Sequence, residues 1–441
     1  METAVKIAQL LVSLSLLVIC HEFGHFIFAK IFKTKVEKFY LFFDPWFSLF
    51  KIKRGETEYG IGWLPLGGYV KIAGMVDESM DTEQLKKDPE PWEFRSKPAW
   101  QRLIIMLAGV FINVILAMFI YAMMSYAWGS TYLPTENIKY GISVDSVGYN
   151  LGLRNGDKIK LVNGDTVADY NKVVLNLLLN DPKTLTVERN GKDTTLTFSD
   201  QDLAPILEAQ SPFMTPRFPF QVADFPEDVE SPAKAAGFMV DDQIVKANGQ
   251  DCKYYMEVRN FLESNAGKDV TFDILRGADT VNISMKVPDD GKIMVFTKGL
   301  QDFIEFGKIE YGFFESFPVG ISRGVDKIGE YCKQWKLIFN PETKAYKSVG
   351  SFISMAKIFP GYWDWQVFWN ITALFSIMLA VLNVIPIPGL DGGHALITII
   401  EMITGKQPSE KLLYVLQVIG MVLLISLMVF AIGNDLIRHV F

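Results

Sequence analysis

Two of the four histidines in this 441-residue chain, His21 and His25, stand four positions apart, with Glu22 directly after the first. On a helix that spacing leaves the imidazoles offset by about 40°, so they share one face. Such a pair can hold one Zn²⁺, and an adjacent glutamate can polarise the water that completes the coordination. The triplet lies in an apolar run from about Val5 to Ala29, long enough to cross a bilayer. A charged side chain at the centre of such a helix costs roughly 2.5–3.5 kcal/mol, so Glu22 needs a chemical reason to be there.

A zinc hydrolase needs a third protein ligand and one open position. The candidates lie in the stretch from Asn383 to His394, which carries Pro386, Pro388, Gly389, Asp391, Gly392 and Gly393. Pro386 and Pro388 must end any helix that reaches them. Irregular backbone at membrane depth survives only where protein or water covers it, which is where a site belongs. Asp391 offers a hard anionic oxygen. His394 is the rival ligand, and capping a following helix over Ala395–Met402 is an alternative role for Asp391.

Several elements must position these residues. Besides the first apolar run, three more meet the length of a membrane span, at about 103–127, 365–385 and 412–432. Trp363, Trp365 and Trp369 fit an interfacial aromatic belt at the entry to the third, and Gln417 is the single polar residue of note in the fourth. Lys30, Lys33, Lys35 and Lys38 follow the first span, and Arg95, Lys97 and Arg102 precede the second. By the positive-inside rule this connection faces the cytoplasm, and both termini and the long insert between spans two and three lie outside. At about 1.5 Å per residue, His21 then sits deep in its span, on the cytoplasmic side of the middle.

The connection between spans one and two is rich in aromatics from Phe39 to Ile52, turns at Lys53–Glu56 and alternates with glycines from Tyr59 to Ala73. This predicts a β-hairpin with a further strand, either dipping into the membrane face or packed on the helix ends. In the outer insert, Gly152, Leu153, Asp157, Ile159, Asn163 and Gly164 recur as Gly237, Phe238, Asp242, Ile244, Asn248 and Gly249 at a constant offset of 85 residues. That constancy marks a duplication. Each copy continues into a helical stretch and two strands. Further on, Ile321, Val325, Ile328, Cys332 and Trp335 fall at helical spacing, predicting an amphipathic helix that lies on the outer membrane surface or packs on the repeats.

Composition sets outer bounds. A positive mean hydropathy suits a membrane protein. A net charge of −7 provides no basic footprint for nucleic acid, and three scattered cysteines build neither a disulfide framework nor a cysteine zinc site.

The duplicated units resemble PDZ domains of the kind common in bacterial envelope proteases. The whole ordered set resembles the site-2 protease family, zinc proteases that cut inside membranes. The matching pieces are His21-Glu22-Phe23-Gly24-His25, the run Gly62–Val70, the stretch Asn383–Gly392, four spans and the tandem repeats. The match is closest to the bacterial regulator-of-sigma-E protease branch. It departs at Val110, where proline often follows Gly109, and at 348–352, where a Gly-Pro element is common.

The resemblance implies a polytopic α-helical membrane protein with a membrane-associated β-sheet and two tandem α+β PDZ-like domains. It assigns residues 1–34 and 99–128 to the first two spans, 35–98 to a re-entrant β-region, and 135–200 and 218–290 to the PDZ-like domains. An amphipathic helix and linker occupy 312–360, and the last spans lie in 363–393 and 394–441. It implies that His21, His25 and Asp391 bind Zn²⁺, that Glu22 is the general base, and that Asn113 and Asn383 lie near substrate; helix–helix hydrogen bonding is the alternative for both asparagines. The implied activity is endoproteolysis of single-span proteins within their membrane segments, in the bacterial inner membrane, after a prior outer cut. Anti-sigma factors and remnant signal peptides are the implied substrates. A PDZ scaffold without activity, or an ion transporter, would share parts of the pattern. The transporter lacks the inverted repeats it would need.

Overall fold

The computed structural model describes residues 2–75, 88–208, 212–227, 229–348 and 350–439; the stretch 76–87 of the first connection lies outside them. The chain divides into two units. One is built from 1–130, 310–339 and 346–441, the other from 131–309 and 340–345.

The first unit starts with helix α1 (Glu2–Ile31), followed by strands β1 (Val36–Arg54) and β2 (Thr57–Ile72) and helix α2 (Ala99–Trp128). After the insert come α3 (Phe313–Phe339), α4 (Phe352–Ile358), α5 (Trp365–Val384), α6 (Asp391–Thr404) and α7 (Glu410–His439). Among the described residues, four helices, α1, α2, α5 and the 411–436 part of α7, are long and apolar enough to cross a membrane. They are the four expected spans; α1, α2 and the last run a few residues past the apolar stretch because polar helix ends continue it, and α5 stops at Val384, one residue short.

Packing among them follows small residues. A Cβ on Gly24 of α1 would stand 2.5 Å from the Ala108 carbonyl oxygen and 2.9 Å from the Gly109 Cα of α2. Glycine on both sides therefore lets the two backbones touch, the usual basis of close helix contact in lipid. Leu10 and Leu17 of α1 pack with Phe359, Phe368, Ile371 and Phe375. Polar links cross the same interfaces: Thr372 donates to Ser13 at 3.0 Å and Ser376 to the Asn113 carbonyl at 2.7 Å.

α3 contains every apolar position predicted for the amphipathic helix, but it packs differently. Its closest approach to α2 is at Gly320 and Gly324, which sit against Met118 and Ala122. Ile321 and Val325 are exposed, and Ile328 alone of the predicted stripe joins the cluster around Ala117, Tyr121 and Ile377. Close approach favours the glycines, which leaves the larger apolar side chains facing outward.

β1 and β2 form one strongly bent antiparallel pair. Residues 38–41 pair with 68–71 on one side and 58–61 on the other, while 48–54 pair with 57–62. Residues 36–41 thus run through the middle of the sheet, and 68–72 form an outer edge. Gly68 places that edge over α1: a Cβ there would stand 2.8 Å from Val18 Cγ1 and 3.7 Å from Glu22 Cγ.

The two larger sheets of the second unit follow the repeats, with two-stranded pairs beside them. Strands Lys158–Val162, Thr184–Arg189 and Lys192–Thr197 form one, with helix Val173–Leu179. Strands Gln250–Asp251, Gln243–Ala247, Asp269–Arg276 and Asp279–Lys286 form the other, with helix Tyr255–Ser264. In both, the repeated aspartate is buried under an arginine that the 85-residue offset does not reveal. Arg189 donates to Asp157 at 2.7 Å and to the Gly152 carbonyl at 2.8 Å. Arg276 makes the same bonds to Asp242 and Gly237, at 2.7 and 2.8 Å.

Candidate active site

The α1 helix delivers His21 and His25 to one face, as their spacing requires, and both are buried. The chain leaves α5 at Val384 in extended backbone, forced by Pro386 and Pro388, and re-enters a helix at Asp391. Leu390, not Asp391, is the N-cap, and no side chain caps that helix end. The Asp391 carboxylate turns to the histidines instead. Its Oδ2 lies 3.1 Å from His21 Nε2 and 3.4 Å from His25 Nε2, and the two Nε2 atoms are 3.2 Å apart.

These three atoms fit a metal. Ligands about 2.0–2.2 Å from a tetrahedral zinc lie roughly 3.3–3.5 Å from one another, close to the separations seen. Asp391 Oδ2 is buried without a hydrogen-bond partner, so a cation among these lone pairs would satisfy it. Among the described residues, His21, His25 and Asp391 form the one cluster with such convergence. His394 is not part of it; its Nε2 lies 3.2 Å from Gln417 Oε1 on α7.

α2 supplies the surroundings. The Ile105 carbonyl is 2.8 Å from His25 Nδ1. A carbonyl only accepts, so that nitrogen carries the proton and Nε2 keeps its lone pair for a metal. One turn further along α2, a Cβ on Gly109 would stand 2.5 Å from His25 Nε2 and 2.7 Å from His21 Cε1. Another turn on, the fully buried Asn113 places its amide Nδ2 3.3 Å from His21 Nδ1. The Ile105 contact comes from backbone, so no residue type announces it. Gly109 and Asn113 are legible in the sequence as a small residue and an amide one turn apart.

A cavity of about 850 Å³ opens beside these groups. Glu22 and Asp391 line it with both histidines, Asn383 lies on its wall, and the edge strand contributes residues 67–72. His394 and Gln417 face it too, whereas Asn113 sits behind His21 and is not among the lining residues described.

Two histidines and a carboxylate converging beside a glutamate, among helices of membrane-crossing length, mark a metalloprotease built into a membrane. Comparison with known proteins agrees. The model of peptidase family M50 matches residues 9–427. The regulator of sigma-E protease RseP of Escherichia coli K12 is 30% identical over 459 residues, covering 98% of each chain. Its namesake in Salmonella typhimurium 14028s is 30% identical over 463 residues, again with 98% of each covered. A Vibrio cholerae protein provisionally named a zinc metalloprotease is 28% identical over 458 residues, covering 97% of each. The chain belongs to peptidase family M50, and it is a zinc metalloprotease.

Proposed function

We propose that this enzyme hydrolyses peptide bonds inside the membrane segments of single-span proteins. The observation that carries the proposal is one cavity shared by His21, His25, Asp391, Glu22 and the sheet edge at 67–72. His21 and His25, through Nε2, and Asp391, through Oδ2, would hold the zinc. Zinc held there would supply an acidified water and a Lewis acid for the scissile carbonyl. Glu22 would serve as the general base and proton carrier, delivering a proton to the leaving amine.

A membrane helix hides its carbonyls in its own hydrogen bonds, so the substrate must unwind before it reacts. The sheet edge at 67–72 lines the same cavity, where an opened segment would add to it as a strand. Asn383, on the same wall, would hold the substrate backbone. Helix breakers in the substrate span should ease opening.

The cationic flanks of the 35–98 connection support a cytoplasm-facing sheet, with the insert and both termini outside, in the inner membrane of a bacterium. The repeats at 135–200 and 218–290 would act as PDZ-like modules that admit substrates already shortened outside. Relatives named for sigma-E regulation support anti-sigma-type single-span proteins as the substrate class, with remnant signal peptides as a second.

The test is cleavage of a model single-span substrate by purified protein. Glu22→Gln should lower cleavage by about 10²- to 10⁴-fold, the usual worth of a general base, while zinc content stays at the wild-type level. Full activity in that variant would sink the mechanism.

A further inference from the structure

Zinc and the second ring nitrogen of His21 make opposite demands on one proton. A neutral imidazole carries a single N–H. If Nε2 gives its lone pair to the metal, Nδ1 carries the proton and needs an acceptor. The group facing His21 Nδ1, at 3.3 Å, is the Asn113 side-chain amide. With its NH₂ turned toward the ring, two donors would confront each other. The amide oxygen and nitrogen occupy nearly the same space, and the hydrogen-bond network decides which points where. Asn113 Oδ1 has no hydrogen-bond partner at its present end, so turning the amide over breaks no second hydrogen bond.

We infer that Asn113 is a positioning residue for the metal site: its Oδ1 accepts the Nδ1–H of His21 and fixes the tautomer that leaves Nε2 free for zinc. The inference rests on His21 being a zinc ligand and gives Asn113 a role other than touching substrate.

The arrangement on α2 supports it. Ile105 and Asn113 stand two turns apart on the same face, with Gly109 between them. The Ile105 carbonyl accepts from His25 Nδ1 at 2.8 Å, performing for one ligand the task assigned to Asn113 for the other. The helices run antiparallel, since His21 meets Asn113 while His25 meets Ile105. Gly109 brings the α2 backbone close enough for both contacts. The Asn113 carbonyl in turn accepts from Ser376 at 2.7 Å, which ties this turn of α2 to α5. Acceptors of this kind around ligating histidines are worth about 10- to 100-fold in metal affinity.

Three full-length variants in detergent test this, each titrated with zinc against a chromophoric chelator. Asn113→Leu keeps the bulk and removes the acceptor; zinc affinity should fall about 10- to 100-fold. Asn113→Asp keeps an acceptor and has no amide N–H; affinity should return to the wild-type value or exceed it. His21→Ala tests the underlying ligand assignment, and unchanged zinc affinity there overturns that assignment whatever Asn113 does. With His21→Ala weakened, wild-type affinity in Asn113→Leu overturns the role of Asn113. So does an Asn113→Asp variant as weak as Asn113→Leu. A raised KM in both Asn113 variants with zinc affinity unchanged also overturns it, in favour of substrate contact. A readout free of any folding defect is ¹⁵N NMR of histidine-labelled wild type loaded with zinc. His21 should be protonated on Nδ1, and protonation on Nε2 refutes the inference.

Discussion

A single carboxylate separates a pair of histidines from a metal site. The pair was legible from its spacing, and Asp391 could be narrowed to one of two residues because prolines break the helix before it. The residues alone leave His394 open and the family resemblance implies Asp391; in the fold His394, three positions on, turns to Gln417 on another helix. The contacts that set the imidazole protons were less legible. One comes from the Ile105 backbone, which has no residue signature, and the other depends on which way the Asn113 amide points. If Asp391 Oδ2 supplies the anionic donor, Asp391→Asn keeps its shape and loses its charge. Zinc content after dialysis should then fall well below that of Glu22→Gln, because only Asp391 is assigned a place in the ligand set. Equal zinc content in the two variants would contradict that assignment.

Among the elements, glycine positions decide how the helices approach, and apolar positions alone mislead. Hydropathy predicted the four long helices to within a few residues, because the apolar run that enters lipid is also the run that extends a helix. The packing face of α3 was not predicted. Periodicity weighs Ile321 and Val325 heavily, yet Gly320 and Gly324 make the contact with α2. Gly320→Val should therefore destabilise the protein by about 1–3 kcal/mol through overpacking. Ile321→Ser and Val325→Ser in detergent should each stay within about 0.5 kcal/mol. Thermal melts of the three variants make the comparison, and a larger loss at Ile321 would restore the apolar face as the contact. At Gly109 the same crowding reaches the site. A methyl group there would stand 2.5 Å from His25 Nε2, so Gly109→Ala should displace the imidazoles and cut cleavage on the order of 100-fold. Cleavage at the wild-type rate would mean α2 can yield without disturbing the site.

At the scale of the whole chain, the catalytic unit is discontinuous in sequence and the repeats are an insert within it. The duplication was legible because its turns keep a constant offset. The arginines that close over its buried aspartates fall outside that pattern because Arg189 and Arg276 are 87 residues apart, not 85. Within the catalytic unit the ends of the insertion are near one another, since Tyr126 of α2 and Phe313 of α3 are in ring contact at 5.5 Å. A short linker can therefore replace 131–309. The shortened protein should retain zinc and cleave a pre-trimmed substrate; loss of zinc would show that the insert helps build the site. In the insert, burial pushes the Cys252 thiol up to about 12. The unfolded thiol ionises near 8.5, so this side chain favours the fold fully below that pH and loses its advantage as pH rises toward 12. Cys252 should resist alkylation at pH 8.5 until the chain is denatured, whereas the exposed Cys332 reacts. Equal labelling of both thiols in the native protein would contradict the burial.

The distance along the chain between His25 and Asp391 has a consequence for biosynthesis. The donors belong to segments 366 residues apart, and a ribosome adding about 5–20 residues per second needs on the order of a minute to bridge them. Through that interval the histidines are already made and the carboxylate is not. On the ligand assignment proposed above, the growing chain is a protease with no complete zinc site until its last membrane helices follow. Completion of synthesis then acts as the enzyme's activation step, and the neighbours it meets during insertion are safe from it.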